Sequence, residues 1–172
     1  ERKAADNRVS IVYTNLVGGQ DELVFDGGSM VVDHAGALAV EAPQFADGLF
    51  PVEFLCEHHC QPISQPLPEE PSLEANVYNA LVTGVRDYVN KNGFKSVVLG
   101  LSGGIDSAVT LAVAADALGK DRVRAVMMPF RYTSSASLED AEAQAQSLWE
   151  NRAESPLDVE DKALEDDIPE PV

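Results

Sequence analysis

The chain has 172 residues and carries 12 Lys and Arg against 29 Asp and Glu, a formal net charge of −17. A hydrophobic fraction of 45% belongs to a folded chain rather than a disordered one, and a net negative surface argues against nonspecific nucleic-acid binding. No signal peptide or apolar run of membrane length is visible, so the expectation is a cytoplasmic protein with no nucleic acid and no membrane among its partners.

The length suits one domain or two incomplete ones, and because the first residue is Glu1 the chain reads as part of something longer. In chain order, residues 1–55 read as β-rich. Ser10 to Asn15 is a short apolar strand. Ser29 to Asp33 and Ala37 to Glu41 flank His34-Ala35-Gly36, which predicts a hairpin with glycine in its turn. Pro43 ends it, and Glu53 to Cys56 adds one more short strand.

Residues 56–71 hold Pro62, Pro66, Pro68 and Pro71, the composition of a linker. The stretch Cys56-Glu57-His58-His59-Cys60 invites a zinc reading, but four ligands within five residues cannot easily surround one tetrahedral ion. No second ligand pair follows downstream, and a linker is the favoured reading. Two cysteines do not make a secreted disulfide framework.

Ser72 then reads as an N-cap. Leu73, Val77, Leu81, Val85, Tyr88 and Val89 form a helical stripe that Asn92-Gly93 closes. Ser96 to Leu101 is a buried strand that runs into Ser102-Gly103-Gly104-Ile105-Asp106-Ser107, and a helix spans about Ile105 to Leu118, ending at Gly119. Val123 to Met128 is a second strand, so strand, helix and strand form a βαβ unit with parallel neighbours. Ser137-Leu138-Glu139-Asp140 resembles a capping box, and Leu138, Ala141, Ala145 and Leu148 line one helical face. From Glu139 to Val172 there are twelve acidic and two basic side chains, and beyond Trp149 the pattern fades into a poorly ordered acidic tail.

The chemistry concentrates at residues 102–107. Two adjacent glycines let the backbone turn sharply and approach a ligand closely. The helix start behind them supplies unpaired N–H groups and the positive end of a dipole. The hydroxyls of Ser102 and Ser107 can add donors to phosphate oxygens. Asp106 is the odd member, because a carboxylate repels a phosphate unless a cation lies between them, and this pairing points to phosphate plus Mg²⁺. In an open α/β sheet the ligand lies beyond the carboxyl ends of the strands, where the loops Ser102 to Ser107 and Pro129 to Ser137 meet. The loop lacks the Gly-Lys-Ser/Thr ending of a Walker A motif and does not fit the dinucleotide fingerprint.

What Ser102-Gly103-Gly104-Ile105-Asp106-Ser107 does resemble is the pyrophosphate loop of the ATP pyrophosphatase superfamily. Two longer stretches resemble one family within it. Tyr13-x-Asn15-x-Val17-Gly18-Gly19-Gln20-Asp21-Glu22-Leu23-Val24-Phe25-Asp26-Gly27-Gly28-Ser29 is similar to the later part of the nitrilase-like glutaminase domain of bacterial glutamine-dependent NAD synthetases. Val98 to Ala108, and Met128-Pro129-Phe130-Arg131-Tyr132-Thr133-Ser134-Ser135-x-Ser137, are similar to the start of their synthetase domain.

That resemblance implies an α/β chain: a C-terminal remnant of a nitrilase-like α-β-β-α sandwich over residues 1–55, a linker over 56–71, and over 72–148 the first βαβ of a doubly wound parallel sheet of the adenine nucleotide alpha hydrolase type. A divergent acidic tail follows over residues 149–172. The implied activity is that of a ligase of NAD biosynthesis that amidates deamido-NAD through an adenylate, with ammonia or glutamine as nitrogen source. ATP and Mg²⁺ are the implied cofactors, and the family suggests a homo-oligomer. By resemblance Gly100, Leu101, Ser102, Gly103, Gly104, Ile105, Asp106 and Ser107 bind ATP, with Arg131 and Ser135 from the second loop, and Asp106 is the metal ligand. A lone Arg131 paired with an exposed carboxylate is the alternative reading for that side chain.

The glutaminase cysteine, glutamate and lysine of the family belong upstream of Glu1, so no catalytic residue of that half is expected here. Cys56 and Cys60 lie past the nucleophile position, Lys3 is solvated on a charged helix end, and Gln20, Asp21 and Glu22 shape a loop. A change of character beyond Trp149 suggests a truncated or frame-shifted fragment, marginally folded by itself. Two other readings stand beside this one. Another amidotransferase of the superfamily is argued against by Gly18-Gly19-Gln20-Asp21-Glu22-Leu23. A non-catalytic fragment would bind ATP weakly or assemble with an intact subunit.

Overall fold

The structure, a computed structural model, describes residues 1–57, 60–127 and 135–150, the last with side chains over 139–147. It divides into two compact units, the division falling between Tyr88 and Val89. The first unit holds helix α1 (Arg2–Asn7) and strands β1 (Ile11–Tyr13), β2 (Val17–Gln20), β3 (Leu23–Asp26), β4 (Met30–Val32), β5 (Leu38–Glu41), β6 (Phe54–Cys56) and β7 (Cys60–Pro62). Helix α2 (Leu73–Lys91) follows and crosses the division.

Strands β1, β4 and β5 form an antiparallel sheet with Ile11 opposite Val32 and Val31 opposite Val40. Val31, Ala39 and Val40 are its buried core, with Val52 packed against them. The hairpin expected between Ser29 and Glu41 is therefore present, with Gly36 at a φ of 89° in its turn. The turn is closed by one carboxylate: Asp33 Oδ1 accepts from the Ala37 N–H at 2.8 Å and from the Ala35 N–H at 2.9 Å. The bond from Ala37, followed by those from Ala35 and Gly36 and the charge of His34, lowers the Asp33 pKa from its usual value near 3.8 despite some desolvation.

Residues 1–55 begin with a helix, in keeping with Lys3 on a helix end; Ala4 is fully buried, and Gly36 lets α1 pass close over the β4–β5 turn. A Cβ on Gly36 would lie 3.0 Å from the Glu1 carbonyl oxygen and 3.2 Å from the Ala5 Cβ. Residues 56–71, expected as a linker, open with a strand: β7 pairs antiparallel with β6, Cys56 faces Cys60, and the two are joined by a disulfide. Proline composition hid this strand because Pro62 ends it, where a missing N–H is tolerated. With both sulfurs in the disulfide neither serves as a zinc thiolate, and His58 and His59 lie outside the described residues. Among the described residues no cluster of three His, Cys, Asp or Glu is suited to a metal.

Strands β2 and β3 make a hairpin whose turn is Asp21-Glu22, with Asp21 at a φ of 52°. Gln20 thus ends a strand, and Asp21 and Glu22 are exposed turn residues. The hairpin packs against α2 at a backbone-to-backbone approach. A Cβ on Gly19 would sit 3.2 Å from the Gly84 Cα, and one on Gly84 would sit 3.3 Å from Val24 Cγ2. Asp87 Oδ2 accepts from the Gly19 N–H at 2.8 Å, which satisfies a strand donor from the helix side. Helix α2 starts at the expected cap, with Ser72 Oγ accepting from the Ala75 N–H at 3.2 Å. Beyond it Gly93, at a φ of 72°, reverses the chain.

The second unit contains strand β8 (Val97–Gly100), helix α3 (Ile105–Leu118), a short 3-10 turn (Lys120–Arg122), strand β9 (Val123–Val126) and helix α4 (Ser135–Glu150). β8 and β9 are parallel, Val97 opposite Val123 and Gly100 opposite Val126, as the βαβ reading requires. The run of Ala and Leu in α3 suits a buried helix, and Leu111 is fully buried at its centre. Leu111, Ala114, Leu101, Val123, Ala141 and Ala145 form the core. The Arg122 guanidinium fixes the approach to β8, donating to Asn90 Oδ1 at 2.8 Å and to the carbonyls of Phe94 and Lys95 at 2.8 and 2.9 Å. Helix α4 begins at Ser135, so Ser137 lies inside it rather than at its cap. The acidic tail expected beyond Trp149 lies, after Glu150, outside the described residues.

Two outcomes follow from the first unit. Gly19→Ala, which drives a methyl against the Gly84 backbone, should destabilise the chain by about 1–3 kcal/mol in urea unfolding. Because the folded Asp33 pKa is depressed, its contribution to stability is complete above the unfolded value near 3.8 and disappears as pH falls through the lower folded value. Asp33→Asn should flatten that acid limb of the stability profile.

Candidate functional site

The loop at the carboxyl end of β8 is built from both sides. The parallel ladder ends with the Leu101 N–H donating to the Val126 carbonyl at 3.0 Å. Seven residues later α3 is under way, its first backbone bond running from the Ala108 N–H to the Gly104 carbonyl at 3.2 Å. Between them Gly103 takes a φ of 81°, a conformation that costs a glycine little and an L side chain a great deal. Gly104 is the N-cap, in an extended conformation with no side chain of its own to cap the helix.

Two serines close a ring around Gly104 without capping the helix itself. The Gly104 N–H donates to Ser102 Oγ at 3.3 Å, and Ser107 Oγ donates to the Gly104 carbonyl at 2.9 Å. The hydroxyls lie 3.1 Å apart, and since Ser107 has committed its proton to Gly104, Ser102 is the donor between them. Ser107 Oγ also accepts from the Ser102 N–H at 3.3 Å. The loop thus pairs the Ser102 and Gly104 N–H groups and both hydroxyls internally, and an incoming anion would exchange these bonds.

The sequence-named residues separate by role. Leu101 is buried and belongs to the core, so only its backbone belongs to the loop. Ser102, Gly104 and Asp106 are exposed, Gly103 and Ser107 half-buried, and Ile105 is 74% exposed. Gly100 ends β8. Asp106 lies in the first turn of α3, where the helix dipole favours a carboxylate, and Thr110 Oγ1 donates to its backbone carbonyl at 2.8 Å. Ser135 is the first residue of α4, and Arg131 lies outside the described residues, as does residues 128–134 of the second loop.

One contact was not anticipated. Gln144 Nε2, from α4, donates to the Gly103 carbonyl at 2.9 Å. Its signal in the sequence is slight: Gln144 falls between Ala141 and Ala145, both buried, with Asp140 and Ser147 on its own side of the helix. Between α3 and α4 an open groove is lined by Ala108, Val109, Ala112 and Ala143, with Asp140, Gln144 and Ser147 as its polar members. No described helix is long and apolar enough to cross a membrane.

Residues 77–171 match the model of the NAD synthase family. The chain is 51% identical over 140 residues to the glutamine-dependent NAD(+) synthetase of Acinetobacter baylyi, covering 81% of this chain and 26% of that protein. It is 39% identical over 180 residues to the same-named protein of Thermotoga maritima, covering 85% of this chain and 31% of that one. Among solved structures it is similar to a glutamine-dependent NAD+ synthetase from Acinetobacter baumannii in complex with ADP, with a TM-score of 0.81 and 46% identity over 86% of this chain and 28% of that one. The chain therefore spans between a quarter and a third of the length of these relatives.

The hydroxyl ring is open to test. Ser107→Ala removes one acceptor and one donor at once, and should speed amide hydrogen exchange at Ser102 and Gly104 about fivefold, the equivalent of about 1 kcal/mol of local stability.

Proposed function

Because the chain belongs to the NAD synthase family, we propose that it carries the pyrophosphate-binding part of a glutamine-dependent NAD synthetase, and that residues 102–107 receive the β and γ phosphates of ATP. The observation that carries this reading is the serine-lined turn around Gly103 and Gly104 at the head of α3, in a chain 46% identical to a relative solved with ADP.

The chemistry of the reading is a double displacement. The nicotinate carboxylate of deamido-NAD attacks the α-phosphorus of ATP, the bond from that phosphorus to the bridging oxygen breaks, and pyrophosphate leaves. Ammonia then attacks the activated acyl carbon, the carbon–oxygen bond to AMP breaks, and the amide of NAD forms. A free carboxylate resists ammonia because its leaving group would be oxide; adenylation supplies a good one. This chain's part is to bind the departing end. The Gly104 N–H and the Ser102 and Ser107 hydroxyls exchange their mutual bonds for phosphate oxygens, and the dipole of α3 favours the charge.

Asp106 fits a magnesium ion, since an exposed carboxylate beside a phosphate cradle is the donor with which Mg²⁺ is held alongside phosphates and water. When bound there, Mg²⁺ would neutralise developing charge on the leaving pyrophosphate. Arg131 and Ser135 complete the nucleotide site in this reading, with Gly100, Leu101 and Ile105 contributing through position. Residues 1–55 are proposed as the end of a nitrilase-like glutaminase domain, 56–71 as its connection, and 72–148 as the beginning of a doubly wound synthetase sheet. A cytoplasmic homo-oligomer that draws ammonia from glutamine is the proposed setting.

Titration of the chain with ATP in the presence of Mg²⁺ tests the reading. Binding is expected, and Asp106→Asn should weaken it about tenfold with Mg²⁺ present and leave it little changed without the metal. Equal binding by Asp106→Asn under both conditions would remove Asp106 from the metal site. Production of AMP and pyrophosphate on adding deamido-NAD and ammonia would extend the reading to the full reaction.

A further inference from the structure

We propose that Gln144 is a positioning residue for the phosphate loop: it holds the Gly103–Gly104 peptide so that the Gly104 N–H is presented on the side of the Ser102 hydroxyl. The inference rests on the reading of residues 102–107 as a pyrophosphate site, and adds to it a side chain 41 residues away that touches neither nucleotide nor metal in that reading.

The argument begins with the peptide unit. Its six atoms are nearly planar, with C=O and N–H pointing in opposite directions. Gln144 Nε2 donates to the Gly103 oxygen at 2.9 Å, and the N–H of the same peptide meets Ser102 Oγ at 3.3 Å. Fixing one end of that plane fixes the other. The constraint matters here because the plane lies between two glycines, with Gly103 at a φ of 81°. Glycine reaches both signs of φ easily, so this peptide can flip more readily than any other in the turn. A flip would point the carbonyl oxygen where the N–H now lies and present a negative dipole to an incoming phosphate.

A second observation separates this role from packing. Gln144 Oε1 is buried without a protein partner, on a helical face whose neighbours Ala141 and Ala145 belong to the core. A buried amide oxygen without a partner is a cost that an apolar side chain of similar size would not carry. The amide is therefore a poor choice for filling space and a good one for donating to Gly103. Its neutrality suits the task as well. A carboxylate there would repel both the carbonyl and the phosphate.

The test uses the full chain with Gln144→Met, which keeps the length and removes the donor. In ligand-free protein the Gly104 amide should exchange about tenfold faster while the Leu111 and Ala114 amides stay within about twofold, and Mg²⁺-pyrophosphate binding should weaken about tenfold. Equal acceleration at Leu111 would mean a general loosening and would overturn the positioning role, as would an unchanged Gly104. If the variant fails to fold, the unaltered chain still decides: the Gln144 side-chain amide resonances should shift when Mg²⁺-pyrophosphate is added, and resonances that stay put would count against the proposal. Should wild type bind pyrophosphate and Gln144→Met bind it equally well, this inference fails alone. Should wild type not bind it at all, the reading of the loop fails and takes this inference with it.

Discussion

The second unit depends on a peptide that has to turn sharply between the end of a parallel ladder and the start of a buried helix. The Leu101 bond to Val126 ends the ladder, and the Ala108 bond to Gly104 begins the helix. Between those limits the backbone must take a positive φ, which only glycine does cheaply, and must leave the first helical N–H groups without intrahelical partners. Ser102 and Ser107 pair the N–H groups of Ser102 and Gly104 just before the helix, and the first helical N–H groups keep no side-chain cap. The same arrangement that stabilises the turn concentrates hydroxyl and N–H donors at one exposed place.

The side chains behind the loop explain why it can be both exposed and ordered. Leu101 is buried against Leu111, Ala114 and Val123, which anchors the chain immediately before Ser102. Leu111 anchors α3 one turn and a half further on. The loop is therefore short, held at both ends, and reached by α4 through Gln144. Order of this kind reduces the entropy lost on binding, since the donors need to exchange partners but not to be gathered.

In the first unit the governing contact is also a backbone approach. Gly19 and Gly84 let the β2–β3 hairpin meet α2 without side chains between them, and Asp87 then reaches a strand N–H. The outer stripe of α2 carries Leu73, Val77, Leu81 and Tyr88 with 75%, 53%, 49% and 63% exposure, and Val98 of β8 is 67% exposed. Of the stripe read from periodicity only Val89 is buried and Val85 half-buried, and the contact with the hairpin is made instead through Gly84 and Asp87. A glycine and an aspartate are residues that a search for apolar spacing passes over.

Much of the chain from Ser72 onward was legible because its signals act over a few residues. Ser72 caps α2, Ile105 and Leu118 bound α3, Gly119 ends it at a φ of 78°, and the pairing of β8 with β9 follows from strand, helix and strand in succession. The loop's residue types, and the superfamily they resemble, were likewise available from an unbroken run of six residues, and the family from longer stretches on either side. What the order of residues could not decide were contacts between distant segments: Gln144 on Gly103, 41 residues apart, and Asp87 on Gly19, 68 apart. Nor did it show that Cys56 and Cys60 face each other across a hairpin, because Pro62 made that segment look like a linker. Local propensity and capping are set by neighbours in the chain. Which helix face meets which strand is set by burial and close approach in space, and only the folded arrangement settles it.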